Sequence, residues 1–341
     1  MLAYFLERND TPARAFTLRE TEKPGVGEGE IRIKVRAFGL NYADIMARQG
    51  LYRECPPLPA VIGYDVEGIV EEVGQGVHGF KKGDPVFALT RFGGYAQYVT
   101  TRHEAVALLP SHAAPGEGCA LATQYITAYH AVVHCQELMP GEKVLVHAAA
   151  GGLGTALVQI ALSKGCIVIG VVGGHKKAEY IRAMGVQHVI DHTQTDYIEY
   201  IAQHLGGRVD VVIDNVGGSS LKKGKKILSR GGRIVTLGAA ALSGKKGYFS
   251  LIRLFLGFGF FSPVSYLSQS QALIGVNMLK IADHRPDIIE RELKGVVNLY
   301  RQGIFKPHIG KIFPQHELPQ AHAWMEDRKS IGKIIVAWDD F

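Results

Sequence analysis

The sequence predicts an α/β fold in which a doubly wound parallel sheet is inserted into a β-rich domain. Three observations predict it. The first block is built of short alternating strands, the middle block alternates apolar strands with helices, and the chain closes on a helix and one strand. A length of 341 residues is also long for a single hydrophobic core. The expected division is residues 1–122 plus 264–341 for the β-rich domain and residues 123–263 for the insert.

In the first block, Ile31-Arg32-Ile33-Lys34-Val35 alternates apolar and polar residues with the period of a half-buried strand, and Val66-Glu67-Gly68-Ile69-Val70 is similar. Gly74-Gln75-Gly76, Lys82-Gly83-Asp84 and Phe92-Gly93-Gly94 punctuate these runs as turns. The period then changes. Lys143 to Ala149 is a nearly continuous apolar run, as in a strand buried on both faces. Leu153, Ala156, Leu157, Ile160 and Ala161 follow at helical spacing. Ile167–Val172, Val209–Ile213 and Arg233–Leu237 are further strands, with a helical stretch around Ala178–Met184. In the last block Ile288, Ile289, Leu293, Val296, Val297 and Tyr300 share a helix face, and Lys333–Trp338 reads as a strand returning to the first domain.

Composition narrows the function. A net charge of +6 suits an anionic ligand, and a dinucleotide phosphate satisfies it as well as RNA does. The lysine doublets Lys222-Lys223 and Lys225-Lys226 read as a solvated helix face, which points away from nucleic acid. Cys55, Cys119, Cys135 and Cys166 are scattered without a CxxC pair, so neither a zinc knot nor a disulfide framework is expected. The opening Met1-Leu2-Ala3-Tyr4-Phe5 runs straight into charged residues, unlike a signal peptide, and a cytoplasmic location is expected. The apolar stretch 248–261 holds Arg253 and two glycines and falls short of a membrane span. A buried or subunit-interface segment is its first reading, a hydrophobic lid the second and peripheral membrane contact the third.

The strongest chemical signal is His147-Ala148-Ala149-Ala150-Gly151-Gly152-Leu153-Gly154. Read as A-x-G-x-x-G, it follows a buried strand and opens an amphipathic helix. Ala149, Gly151, Gly152, Leu153 and Gly154 then form a tight turn whose amides meet a pyrophosphate. Ala149 is acceptable in place of glycine if φ there is negative. A dinucleotide site of the NAD type carries an acid at the end of the second strand. Here that strand ends in Gly173-Gly174-His175-Lys176-Lys177. No carboxylate repels a 2′-phosphate and two ammonium groups attract it, so NADPH is the expected cofactor.

Together with Gly39-Leu40-Asn41-Tyr42-Ala43-Asp44 and Val61-Ile62-Gly63-Tyr64-Asp65-Val66-Glu67-Gly68, this loop resembles the medium-chain dehydrogenase/reductase superfamily. The likeness is to its zinc-independent quinone oxidoreductases, zeta-crystallin included, and most of all to the VAT-1 branch. It runs over practically the whole chain and implies a GroES-like catalytic domain split around an inserted Rossmann domain. Zinc enzymes of the superfamily have Cys where Asn41 stands and His-Glu where Tyr64-Asp65 stand, so no metal is expected.

The resemblance implies hydride reduction of a quinone or an α,β-unsaturated carbonyl, with hydrogen-bond donors in place of a metal. Asn41 is then the orienter, Tyr52 a donor and Tyr64 a second donor. Thr127 matches a threonine near the nicotinamide. Gly173, Lys177 and His192 fall where the family contacts adenosine. Asn215, Gly238, Ala239, Gly275 and Val276 line the nicotinamide, and Lys333 sits near the cofactor. A homodimer through the edge strands of the Rossmann sheets is implied too. The alternative is a weakly catalytic or non-catalytic NADPH-binding protein associated with membranes. His130, His134 and His147 are read as core or surface residues.

Overall fold

The computed structural model describes residues 1–238 and 262–338. It contains two compact units: Met1–Ile126 with Leu279–Gly303 and Pro307–Phe341, and Thr127–Met278 with Ile304–Lys306. Ala239 and the apolar stretch 248–261 lie outside the described residues. Among the described residues no helix is long and apolar enough to cross a membrane.

The first unit is β-rich. Its strands are β1 (Leu2–Leu6), β2 (Phe16–Glu20), β3 (Glu30–Leu40), β4 (Ala60–Val61), β5 (Asp65–Val73), β6 (Pro85–Leu89), β7 (Tyr98–Arg102) and β8 (Val106–Leu108), with β15 (Ile309–Pro314) and β16 (Lys333–Ala337) near the end of the chain. Among the described residues, one sheet runs β15-β16-β3-β5-β6-β8 with β7 also on β3, and a smaller one runs β2-β1-β4. β3 shows the predicted alternation: Ile31, Ile33 and Val35 are buried while Lys34 and Arg36 are exposed. From Ala37 onward both faces are covered. Phe38 and Leu40 join the main core with Ile62, Val66 and Val336, while Ala37 packs with Cys119 and Ile335 on the other side. β16 pairs antiparallel with β3, Ile334 opposite Leu40 and Ala337 opposite Ala37. The last strand therefore returns to the first block. The helix Pro286–Arg301 starts on proline, which fixes φ where no intrahelical amide is needed, and buries Ile288, Ile289, Leu293, Val296 and Tyr300.

The second unit is a parallel sheet of β9 (Lys143–His147), β10 (Ile167–Val172), β11 (His188–Asp191), β12 (Val209–Asp214), β13 (Leu228–Thr236) and β14 (Ala272–Gly275). Among the described residues its order is β11-β10-β9-β12-β13-β14, reversing direction beside β9. In a doubly wound sheet, ligands bind outside the carboxyl ends at that reversal. β11 and β14 were not expected from sequence, being four residues each with too little apolar pattern to stand out. Because β14 joins the sheet edge, this unit runs to Met278 and not to the expected 263.

The glycine loop explains how the sheet meets its first helix. Ala148 takes the left-handed conformation, with φ of 48°, while Ala149 keeps a negative φ and donates its amide to Val171 O at 3.1 Å. The helix Gly152–Ser163 then starts directly over this turn. A Cβ on Gly154 would lie 2.3 Å from Ala148 O and 2.7 Å from the backbone of Ala149, so the helix packs on the strand only with glycine there. Gly151 differs: its φ is −75°, and the nearest atom to an added Cβ is Ala148 O at 3.4 Å. Gly154→Ala is therefore expected to lower Tm by roughly 4 °C or more, the shift a 2 kcal/mol loss gives in a chain of this size. Gly151→Ala should leave Tm within about 1 °C. Thermal unfolding of both variants checks the split, and equal losses would contradict it.

Candidate active site

In the second unit the expected cofactor residues collect where the strands end. Ala149 and Gly151–Gly154 follow β9, Gly173 follows β10, His192 follows β11, Asn215 follows β12, Gly238 follows β13, and Gly275 closes β14 with Val276 behind it. The Val276 amide donates to Thr236 O at 3.0 Å, which ties the last two ends together. Thr127 sits on the helical turn Ile126–Tyr129, not on a strand end.

This arrangement fits a dinucleotide. No side chain caps the helix that starts at Gly152, leaving its first amides and its dipole for an anion. Nothing in the protein requires Gly151 to lack a side chain, whereas a backbone-hugging pyrophosphate does. Asn215 Oδ1 is buried without a hydrogen-bond partner, an acceptor facing no donor of the protein.

The end of β10 is where sequence reasoning was incomplete. Gly174 adopts φ of 96° and opens the helix His175–Ala183, which carries Lys176 and Lys177 and no acid in its first turn. A carboxylate does reach this point from the next strand. Asp191 Oδ1 accepts from the Gly174 amide at 2.9 Å and from the Thr193 amide and hydroxyl at 3.0 and 2.8 Å. The Gly174 amide, foremost, holds its carboxyl below the usual range. Asp191 thus fastens the turn. His192 Nε2 lies 3.0 Å from where a Gly173 Cβ would be, so that glycine makes room for the imidazole.

Among the remaining histidines, His147 is buried at the end of β9, edge-on to Tyr197 at 5.1 Å, and burial lowers its pKa. His130 and His134, one helical turn apart, stack at 4.9 Å.

The first unit holds a second cluster. Lys333 Nζ donates to Asp65 Oδ2 at 2.7 Å and to Asn41 Oδ1 at 2.9 Å, and Asn41 Nδ2 donates to Asp65 Oδ2 at 2.6 Å. The Lys333 and Asp65 side chains are both 0% exposed. They fit because Gly39 has no side chain: a Cβ there would stand 2.1 Å from Asp65 Oδ1 and 2.2 Å from Lys333 Cε. Lys333, expected to sit near the cofactor, is wholly buried, with its ammonium on Asp65 and Asn41. Tyr52 lies edge-on to Tyr64 at 6.0 Å between ring centres, and Tyr64 packs on Phe92 at 5.1 Å. Tyr64 Oη is buried with no hydrogen-bond partner. Burial pushes both phenols above the usual tyrosine range, so each stays protonated and able to donate.

Asp44 and Asp65 were given no role from sequence. Asp44, three residues after Asn41, accepts the Asn41 amide at 2.8 Å, half of a capping box that the N-x-x-D spacing signals. Asp65 and Lys333 are 268 residues apart and leave no local trace. Burial raises the Asp44 carboxyl to about 8, despite the opposing Asn41 amide. Its folded-state pKa lies above the unfolded value, so the folded protein holds a proton that the unfolded chain releases. That contribution is full below about pH 4 and is lost as pH rises toward about 8, at up to about 1.4 kcal/mol per pH unit. Asp44→Asn keeps an acceptor for Asn41 and removes this slope. Denaturant unfolding across pH 5–8 should show the variant's stability falling less steeply than the wild type's, and parallel curves would contradict the assignment.

Two family models match the chain: an alcohol dehydrogenase GroES-like domain over residues 27–134 and a zinc-binding dehydrogenase over residues 184–336. The human synaptic vesicle membrane protein VAT-1 homolog is 35% identical over 320 residues, covering 93% of this chain and 81% of that protein. Human quinone oxidoreductase is 31% identical over 310 residues, covering 90% and 88%. The Escherichia coli quinone oxidoreductase solved with NADPH superposes with a TM-score of 0.85 at 25% identity, covering 99% of this chain and all of that one. Asn41, Tyr64 and Asp65, which stand at the positions of the superfamily's zinc ligands, offer neither thiolate nor imidazole, and the Asp65 carboxylate is already paired to an ammonium. On fold, site and likeness together, the chain belongs to the medium-chain dehydrogenase/reductase superfamily, in the branch of the quinone oxidoreductases and VAT-1 homologues.

Proposed function

We propose that this oxidoreductase is zinc-independent, binds NADPH and reduces quinones or α,β-unsaturated carbonyls. The observation that carries the reading is the Asn41 side-chain amide, fixed between an ammonium and a carboxylate in a unit that also holds the protonated phenol pair Tyr52 and Tyr64. NADPH, when bound, supplies hydride from nicotinamide C4. The chain's own part is then to meet negative charge developing on the substrate oxygen. Asn41 Nδ2 and the hydroxyls of Tyr52 and Tyr64 are donors for that charge, and such donors serve a delocalised phenolate or enolate without a metal. The uncapped amides at Gly152–Gly154 bind the pyrophosphate, with the Gly173–His192 corner at the adenosine end and Asn215, Gly238, Gly275 and Val276 toward the nicotinamide.

Preference for NADPH rests on the end of β10, where Lys176 and Lys177 open a helix and Asp191 is committed to Gly174 and Thr193. The homodimer reading is supported by β14, which ends the sheet among the described residues and whose Leu273 is 39% exposed. The likeness to VAT-1 homologues keeps a weakly catalytic or non-catalytic, membrane-associated NADPH-binding role as the second reading.

Lys177→Glu is expected to weaken NADPH roughly 10- to 100-fold, the worth of one charge-assisted contact, while changing NADH little. Calorimetric titration checks it, and equal losses for both cofactors would remove Lys177 from the 2′-phosphate. Steady-state assays with saturating NADPH on 1,2-quinones, 1,4-quinones and alkenals should give turnover that chelators leave unchanged. Tight NADPH binding with no turnover on any of them would favour the second reading.

A further inference from the structure

The Asn41 amide has only one orientation open to it. An ammonium donates and never accepts, while a carboxylate accepts and does not donate. Asn41 therefore turns Oδ1 to Lys333 Nζ and Nδ2 to Asp65 Oδ2, at 2.9 and 2.6 Å. The flipped amide would set NH₂ against the ammonium and oxygen against the carboxylate. One Nδ2 hydrogen is bonded to Asp65, leaving the second. Asn41 is 7% exposed while Lys333 and Asp65 are wholly buried, so of the three residues only Asn41 keeps any accessible surface.

We infer that Lys333 and Asp65 are positioning residues that turn Asn41 into a polarised, donor-only group for the substrate oxygen. The Lys333 charge on Oδ1 draws electron density from Nδ2 and strengthens its remaining N–H as a donor. Hydrogen bonds in series reinforce one another in this way where water is excluded. A buried cation thereby acts on the substrate oxygen through an amide. The specificity that follows is for an oxygen that accepts and gains charge during reaction, as a quinone or enone oxygen does. The inference rests on the proposed reduction, but the orientation of the amide does not.

Alternative roles for the ion pair separate experimentally. Lys333→Gln/Asp65→Asn is a neutral pair of similar shape that keeps a donor for Oδ1 and an acceptor for Nδ2. It keeps hydrogen-bond partners for both ends of Asn41 but removes the two charges that fix its orientation and polarise it. Lys333→Met alone also removes the Oδ1 bond, but it leaves Asp65 buried and uncompensated and is prone to unfold. The double variant is thus the primary test.

With NADPH and 9,10-phenanthrenequinone, the double variant should lose about 10- to 100-fold in kcat, somewhat below the loss of an oxyanion donor itself. KM for the quinone and Kd for NADPH should stay within about threefold, since the charge matters most in the transition state. Unchanged kcat in a folded double variant would reduce the pair to a structural role and overturn the inference. A second readout needs no turnover. The chain has five asparagines, so selective ¹⁵N-asparagine labelling of the full protein resolves the side-chain amides, with Asn41→Ala for assignment. The two Nδ2 protons of Asn41 should be widely separated, the one on Asp65 downfield and slow to exchange, and the separation should shrink in the double variant. A freely rotating Asn41 amide in the wild type would end the proposal. If the wild type reduces no quinone while its Asn41 amide is locked as described, the reaction assigned above fails and the clamp stands.

Discussion

A charge that cannot leave organises the β-rich unit. Lys333 opens β16, Asn41 follows β3 and Asp65 opens β5, three neighbours in the sheet, and their side chains meet with Lys333 and Asp65 wholly buried. Burying an ammonium and a carboxylate costs several kcal/mol each unless they are paired and further hydrogen-bonded. That cost is offset only if the three strands hold register, Ile334 against Leu40 and Phe38 against Val66. Gly39 follows from the same constraint, since any side chain there would occupy the space of the ion pair. So does Asp44, which holds the backbone amide of Asn41 from below.

The α/β unit depends on a steric constraint where the first depends on charge. Gly154 brings the helix Gly152–Ser163 onto β9 so closely that its first amides stand over the carboxyl ends of the strands. Buried strands with no alternation follow from cover on both faces. The ends of β9 to β14 then present backbone, glycine and a few polar side chains, a surface suited to a long, polar, anionic ligand. Asp191 and Asp214 serve its turns: Asp214 accepts the Val216 and Gly217 amides at 2.8 and 3.0 Å and so shapes the loop that carries Asn215.

Local pattern made much of this legible. The alternation in β3, the unbroken apolar run of β9, the glycine loop and the amphipathic helix Pro286–Arg301 each encode their environment within a few residues. Two strands of four residues, β11 and β14, were silent because pairing with neighbours, not their own composition, makes them strands. Asn41, Tyr52 and Tyr64, with the roles given them, came from likeness to a family, and the coordinates add the partners of Asn41. No spacing in the chain links residue 65 to residue 333, and nothing in a lysine codon tells a cofactor ligand from a buried counterion. The stacking of His130 on His134 likewise needed the helix to be seen.

We propose that a donor-only amide, backed by a buried cation, meets the charge on the substrate oxygen in this protein, the part a zinc ion takes in other members of the superfamily. A crystal structure with NADP⁺ and a bound quinone tests it most directly. The quinone oxygen should lie within hydrogen-bond distance of Asn41 Nδ2, with Lys333 still on Oδ1 and the pyrophosphate over the amides at residues 151–154. A quinone oxygen held by other groups, or a metal ion bound by Asn41 and Tyr64 with Lys333 displaced, would contradict it.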